Sequence, residues 1–418
     1  MQPPPPPPWS EIPLELAGLV LGHLPAHADR VRFAATCHRW RAAAREIPLP
    51  PPLPLLALLD GTMYSPPLPK PFRLPAATAD FTAACGSWLL FSGADGGSCF
   101  LRNPFSNATV PLPALYRVRK RYKSSGAQPI LFTCETTDGS TKLYVRRLLL
   151  CSPHLVAAYV VLGPGAGISY VAVCQPGAGS WWSVCMDDSL ISEERSVPTL
   201  AAMAFHKGTL FAVERYGGRF YAVDIGVDKS TGDLWVSRFR PVIPGSIPTT
   251  CGPSIIPHDN GIGIMETLFY LVESRGALLV VRRQRQYQYQ WDQLHGRRLV
   301  VPTGWKEFEV FEADLKGSRW TKLATIGNDQ VLFLSEDHCA SLCVSQLGMP
   351  GDRIVFFENV DEDRIGRWYE EESIGACSVY DMRDRKISAL LPMPLHSKHG
   401  TVRATWLFQE EPSEAATI

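Results

Sequence analysis

Leu268-Phe269-Tyr270-Leu271-Val272, then Ser274-Arg275-Gly276, then Ala277-Leu278-Leu279-Val280-Val281 reads as two apolar strands joined by a tight hairpin. The same grammar recurs outward from it. Leu210-Phe211-Ala212-Val213-Glu214 and Phe220-Tyr221-Ala222-Val223-Asp224 flank the turn Tyr216-Gly217-Gly218-Arg219. Trp88-Leu89-Leu90-Phe91, Val331-Leu332-Phe333-Leu334, Ile354-Val355-Phe356-Phe357 and Ser378-Val379-Tyr380-Asp381 add further strands. Tryptophans at 88, 182, 235, 320 and 406 repeat at the scale of tens of residues. So many hairpins with almost no helix leave a pair of sandwiches or a propeller. A propeller removes most of the exposed strand edges that such a chain must protect. At ~40–50 residues per four-stranded blade, about 330 residues make six to eight blades. The expectation is a mainly β chain with a small α module at its N-terminus.

Composition narrows the function classes. The chain has 418 residues, 45% hydrophobic and 20% charged, enough apolar content for a sizeable core. Lys+Arg and Asp+Glu both number 41, so the net charge is zero and a general polyanion binder is not expected. Eleven cysteines with no paired spacing do not outline a disulfide framework. A reducing compartment, the cytoplasm and/or nucleus, is the expectation. Met1 and Gln2 followed by six prolines lack the basic and apolar regions of a secretory signal. Leu155 to Cys174 carries no charge and is long enough to span a bilayer, but Gly163-Pro164-Gly165-Ala166-Gly167 interrupts it. Two buried strands around a turn are expected there, with no membrane partner.

Along the chain, residues 1–8 read as a Pro-rich tail, 9–47 as helical, and 48–75 as a Pro-rich linker. Residues 76–410 form the β domain and 411–418 a second tail. Leu14, Leu16, Leu19, Val20 and Leu24 recur at helical spacing after Pro13, where a first turn tolerates proline. Pro25 ends that helix and Asp29 is the expected N-cap of a second. Val31, Phe33, Cys37 and Trp40 supply apolar contacts among arginines. A module this small cannot bury all of these side chains alone, which calls for a partner surface.

Trp9-Ser10-Glu11-Ile12-Pro13-Leu14-Glu15-Leu16, Asp29-Arg30-Val31-Arg32-Phe33 and Cys37-His38-Arg39-Trp40-Arg41, in this order, resemble an F-box. Three positions depart from the family pattern: Ile12, Gly18 inside the first helix, and Thr36 before Cys37. The remainder is similar to the KIB-type β-propeller that accompanies the F-box in a large plant family. Cys85-Gly86-Ser87-Trp88-Leu89, Asn103-Pro104-Phe105, His206-Lys207-Gly208-Thr209-Leu210-Phe211 and Phe308-Glu309-Val310-Phe311-Glu312 carry that likeness. The resemblance implies a three-helix F-box followed by a propeller, acting as the substrate receptor of an SCF-type ubiquitin ligase. Its partners would be a Skp-type adaptor with a cullin-based ligase, and a target protein held by the propeller. The adaptor-facing candidates are Ile12, Pro13, Leu14, Leu16, Leu19 and Val20. Leu24, Val31, Phe33 and Trp40 brace the helices or share the interface.

Chemical motifs are thin, and neither catalysis, cofactor nor metal is expected. The Gly163–Gly167 run lacks a dinucleotide loop's glycine spacing and a following helix. His338, Cys339 and Cys343 lack a second ligand pair, so buried strand cysteines are the stronger expectation. Basic clusters at 117–123 and 282–291 are expected in surface loops between blades, and the acidic run at 358–372 in a solvated one. An import signal at the first cluster, or single-stranded nucleic acid at the second, is the weaker reading. The competing function is an all-β propeller enzyme or sugar-binding protein whose helices serve only packing.

Overall fold

In the computed structural model the described residues are 9–409, apart from 75–77, 93–98, 115–116, 122–129, 134–142, 163–168, 185–198, 228, 230–231, 248–253, 259–260, 293–296, 346, 359–373, 392–394 and 397–403. A short turn of helix at Trp9–Glu11 leads into three helices, α1 (Leu14–Gly22), α2 (His27–Thr36) and α3 (His38–Glu46). Six sheets follow, the blades of a β-propeller. Blade 2 is a four-stranded meander from Ala83 to Leu112, and blade 4 another from Leu200 to Ser246. Blade 5 spans Ser254 to Leu323.

Blade 1 closes the ring. Leu55–Leu58 pairs with Met63–Tyr64 on one side and with Ala404–Leu407, from the far end of the chain, on the other. All eight residues of the closing pair are buried, and Trp406 is 0% exposed with its indole N–H donating to the Leu334 carbonyl at 3.1 Å. This corrects the expectation that 48–75 is a linker. It holds two strands, Leu55–Leu58 and Met63–Tyr64, and the propeller begins at Leu55 rather than at 76. The physical reason is that Leu55-Leu56-Ala57-Leu58 is apolar on both faces, like a fully buried strand, while neighbouring prolines hide it.

The opening hairpin folds as read. Ser274 opposes Ala277, and Arg275 and Gly276 both take positive φ (52° and 73°), the two-residue turn whose twist suits antiparallel strands. The uncharged stretch is also a hairpin, Leu155–Leu162 against Ser169–Cys174, in blade 3; the glycine run between them lies outside the described residues. No helix among the described residues is long and apolar enough to cross a membrane.

Both basic clusters differ from the loops expected. Arg117–Arg121 is a strand joined in parallel to Trp181–Val184 at the outer side of blade 3. The second cluster lies within Ala277–Asp292 of blade 5. There Arg283 is fully buried, its guanidinium 4.2 Å from the Phe356 ring centroid, while Arg282 is paired with Glu309. Arginine stems bury as apolar chains when the head finds a ring or a carboxylate, so charge in this strand does not mark a loop. The acidic run beyond Glu358 lies outside the described residues. Nor do the recurring tryptophans occupy equivalent places: Trp406 is on an innermost strand, Trp88 on a second strand and Trp320 on an outer one.

Inner strands of successive blades run side by side: Ala404–Leu407, Ala83–Cys85, Leu143–Ser152, Leu200–His206 and the second half of Gly261–Ser274, then Cys339–Cys343. Their starts gather at one end of the central channel and their ends at the other. Phe408 and Gly86 meet at the second end, as do Lys207 and Gly276.

Candidate partner-docking surface

Each helix buries little. Ala17, Gly18 and Leu21 are covered on α1, Phe33 alone on α2 and Ala43 alone on α3. Ile12, Leu24 and Trp40 pack partly buried around them. Trp40 stacks on Phe33 with ring centroids 4.3 Å apart, and its indole N–H donates to the Trp9 carbonyl at 3.1 Å. Cys37 begins α3, its Sγ accepting from the Trp40 amide at 3.5 Å. Pro13 immediately precedes α1 in an extended conformation, and the Ala17 amide donates to its carbonyl. Asp29 is not the cap expected of it. Helix α2 starts three residues earlier than that cap would place it, after Ala26, and Asp29 pairs with Arg32 at 2.9 Å inside the first turn.

This small core divides the ten candidate residues. Ile12, Leu24, Phe33 and Trp40 turn inward. Pro13, Leu14, Leu16, Leu19, Val20 and Val31 remain exposed, Leu16 at 51% and Leu19 at 64%. Trp9, 72% exposed beside the same helix, was not among the candidates and extends the apolar surface. It opens the stretch that resembles an F-box, next to a proline tract. Leu16, Leu19 and Val20 fall on one side of α1, and aliphatic side chains left together in water make that side a candidate interaction surface. At ~25 cal/mol per Å², covering each gives roughly 1–2 kcal/mol.

Gly18, a departure from the family pattern, faces Ile47, and a Cβ there would meet the tip of that side chain, which would have to turn aside. Thr36, another departure, is exposed and donates its hydroxyl to the Arg32 carbonyl one turn back.

The module is fastened to the propeller at the channel end where inner strands finish. The Leu53 amide donates to the Pro25 carbonyl at 2.9 Å, and the Ala28 amide to Ser65 Oγ at 3.1 Å. Arg30 donates to the carbonyls of Leu24 and Pro50. His27 is bonded to Gln409 at 2.7 Å and set edge-on to Phe105. Burial lowers the His27 pKa, outweighing the Gln409 bond, and Arg30 adds to the lowering. These contacts hold the exposed face of α1 in a fixed attitude to the propeller.

The described cysteines are free thiols. None of the described ones forms a disulfide, and among the described residues no His, Cys, Asp and Glu cluster could hold a metal. Burial pushes the Cys99 thiol up to about 12 and raises those of Cys151, Cys174 and Cys377 as well. Cys339 and Cys343 do share a strand, but Cys339 is half-buried and Cys343, at the channel end, is exposed.

His338 is held down to about 4, first by burial and then by Arg147. A histidine depressed in the fold contributes stability fully above its ordinary 6.5 and loses it as pH falls towards 4. The difference amounts to at most about 3 kcal/mol. Urea midpoints measured from pH 7 to 4.5 are expected to fall less steeply for His338→Gln than for the parent chain.

Comparison with known proteins adds the family. No curated protein matches the chain. A solved structure of luciferin-regenerating enzyme aligns with 63% of this chain and 89% of its own, at 10% identity and a TM-score of 0.22, too low to carry an argument. The family model described as KIB1-4 beta-propeller matches residues 55–381, beginning at the first strand of blade 1. With most of its length accounted for by that model, the chain belongs to the KIB1-4 beta-propeller family.

Proposed function

We propose that the chain is the substrate receptor of an SCF-type ubiquitin ligase, working in the cytoplasm and/or nucleus. The helices dock a Skp-type adaptor, which links the chain to a cullin-based ligase, and the propeller holds the target. The receptor brings no bond-making chemistry of its own. One observation carries this reading: Pro13, Leu14, Leu16, Leu19 and Val20 face solvent while the helices pack through other residues. Helices kept only for packing would turn such aliphatic side chains against the propeller. The F-box resemblance falls on the same residues, which supports the adaptor as the occupant.

Proximity labelling with the proteasome inhibited tests the proposal, comparing the full chain with a Leu16→Asp/Leu19→Asp variant. Adaptor and cullin are expected among the labelled proteins of the parent only. Equal labelling by both chains, or labelling of neither component by the parent, contradicts the reading.

A further inference from the structure

At the channel end remote from the helices, Arg147 projects from the inner strand of blade 3 and is only 7% exposed. Its Nε and Nη2 both donate to the Ala201 carbonyl, at 2.9 and 2.5 Å, which ties blade 3 to blade 4. It also approaches the half-buried Cys339 thiol and His338, neither of which supplies a negative charge at neutral pH. Among the described residues no carboxylate pairs with this guanidinium. Arginine keeps its charge at any physiological pH, and a buried cation without a counter-ion is costly. The cost is offset if the position is kept to receive an anion.

The surroundings fit that use. Arg147 lines a small cavity of about 20 Å³ together with Arg215, Thr267, Tyr270 and Glu336. The Arg215 guanidinium lies 5.6 Å from the ring centroid of Tyr216, an aromatic residue 62% exposed. Two guanidiniums and two hydroxyl residues thus border one cavity, with the Tyr216 ring close by. Glu336 on the wall disfavours a doubly charged ligand. A single carboxylate, which an arginine fork matches in geometry, is the better occupant.

We propose that this cavity recognises one carboxylate of an acidic peptide segment, held by Arg147 and Arg215, with Tyr216 against the adjoining peptide. The inference gives chemistry to the target and rests on the receptor reading only in taking the peptide to be part of a target protein. Its test needs no adaptor.

Saturation-transfer NMR would be recorded on the full chain with three peptides. These are acetyl-Gly-Ser-Gly-Glu-Gly-Ser amide, its glutamine counterpart, and that counterpart with a free C-terminal acid. At least one acidic peptide is expected to give a fivefold or larger signal over the neutral one. Comparing the two acids tells a side-chain from a C-terminal carboxylate. Arg147→Gln is expected to abolish the difference, and Arg215→Gln, which spares the bond to Ala201, to reduce it at least threefold. Thermal melts check that each variant is folded, and if Arg147→Gln is not, Arg215→Gln decides. Equal signals from all three peptides, or undiminished discrimination by a folded variant, overturn the proposal. So does a phosphoserine peptide that outcompetes the glutamate one. Adaptor binding is expected to survive both substitutions, so failure here leaves the receptor reading standing.

Discussion

Replacing Leu16 and Leu19 together with aspartate is expected to weaken adaptor binding more than a hundredfold and to leave the unfolding midpoint almost unchanged. The two side chains are 51% and 64% exposed and lie three residues apart, on one side of α1. In the free chain an aspartate at either place stays hydrated, and surface changes of this kind shift stability by about 0.5 kcal/mol or less. In the complex the carboxylates would be stripped of water against an apolar surface. A central interface residue is commonly worth about 2 kcal/mol or more, and ~1.4 kcal/mol is a factor of ten. Two such losses exceed a hundredfold. Phe33→Ala gives the contrast. Phe33 is 4% exposed and stacked on Trp40, so its loss of about 3–5 kcal/mol would melt the helices and remove binding by another route. Calorimetric titration beside circular dichroism at 222 nm separates the two cases. Unaltered affinity in the double aspartate variant would remove α1 from the interface.

Trp406→Ala is expected to be the most destabilising single change in the propeller. The ring is wholly buried between blade 1 and the sheet that holds Gln330–Leu334, edge-on to Phe333 at 5.2 Å, on the strand whose pairing with Leu55–Leu58 joins the two ends of the chain. Truncation of a buried tryptophan costs about 3–5 kcal/mol. Leaving the Leu334 carbonyl without its donor adds about 1–3 kcal/mol. Against a total stability of about 5–15 kcal/mol, that threatens closure of the ring. Trp406→Phe keeps much of the packing and loses only the donor, so an intermediate loss is expected. Urea denaturation followed by fluorescence measures both. A loss under about 1 kcal/mol for Trp406→Ala would show that the terminal strand does not hold the ring shut.

Local signals carried much of the fold. The turn at Arg275 and Gly276 was legible because two left-handed positions between apolar runs have few alternatives. The strand Leu55–Leu58 was not, since its partner is at the other end of the chain and no local pattern announces such a pairing. The arginines of 282–291 misled for a related reason. What makes them compatible with a strand is Phe356 for Arg283 and Glu309 for Arg282, from other strands. Blade number was legible only as a range, because the strands run from two residues at Met63–Tyr64 to eighteen at Arg297–Asp314. At the docking surface, α1 is apolar nearly all round, as Leu14-Glu15-Leu16-Ala17-Gly18-Leu19-Val20-Leu21 shows. Periodicity therefore located the helix but not which leucines would face out. That division depends on where α3 and Ile47 pack. Arg147 sat unnoticed among Leu143-Tyr144-Val145-Arg146-Arg147-Leu148, where nothing in the sequence distinguishes it from its neighbour.

The central claim is that the exposed face of α1 exists to hold an adaptor. Size-exclusion chromatography with light scattering on the purified full chain, mixed with a purified Skp-type adaptor, tests it most directly. The account expects a stable one-to-one complex from the parent chain and two separate species from the Leu16→Asp/Leu19→Asp variant. Two separate species from the parent chain, with both proteins folded, would contradict it.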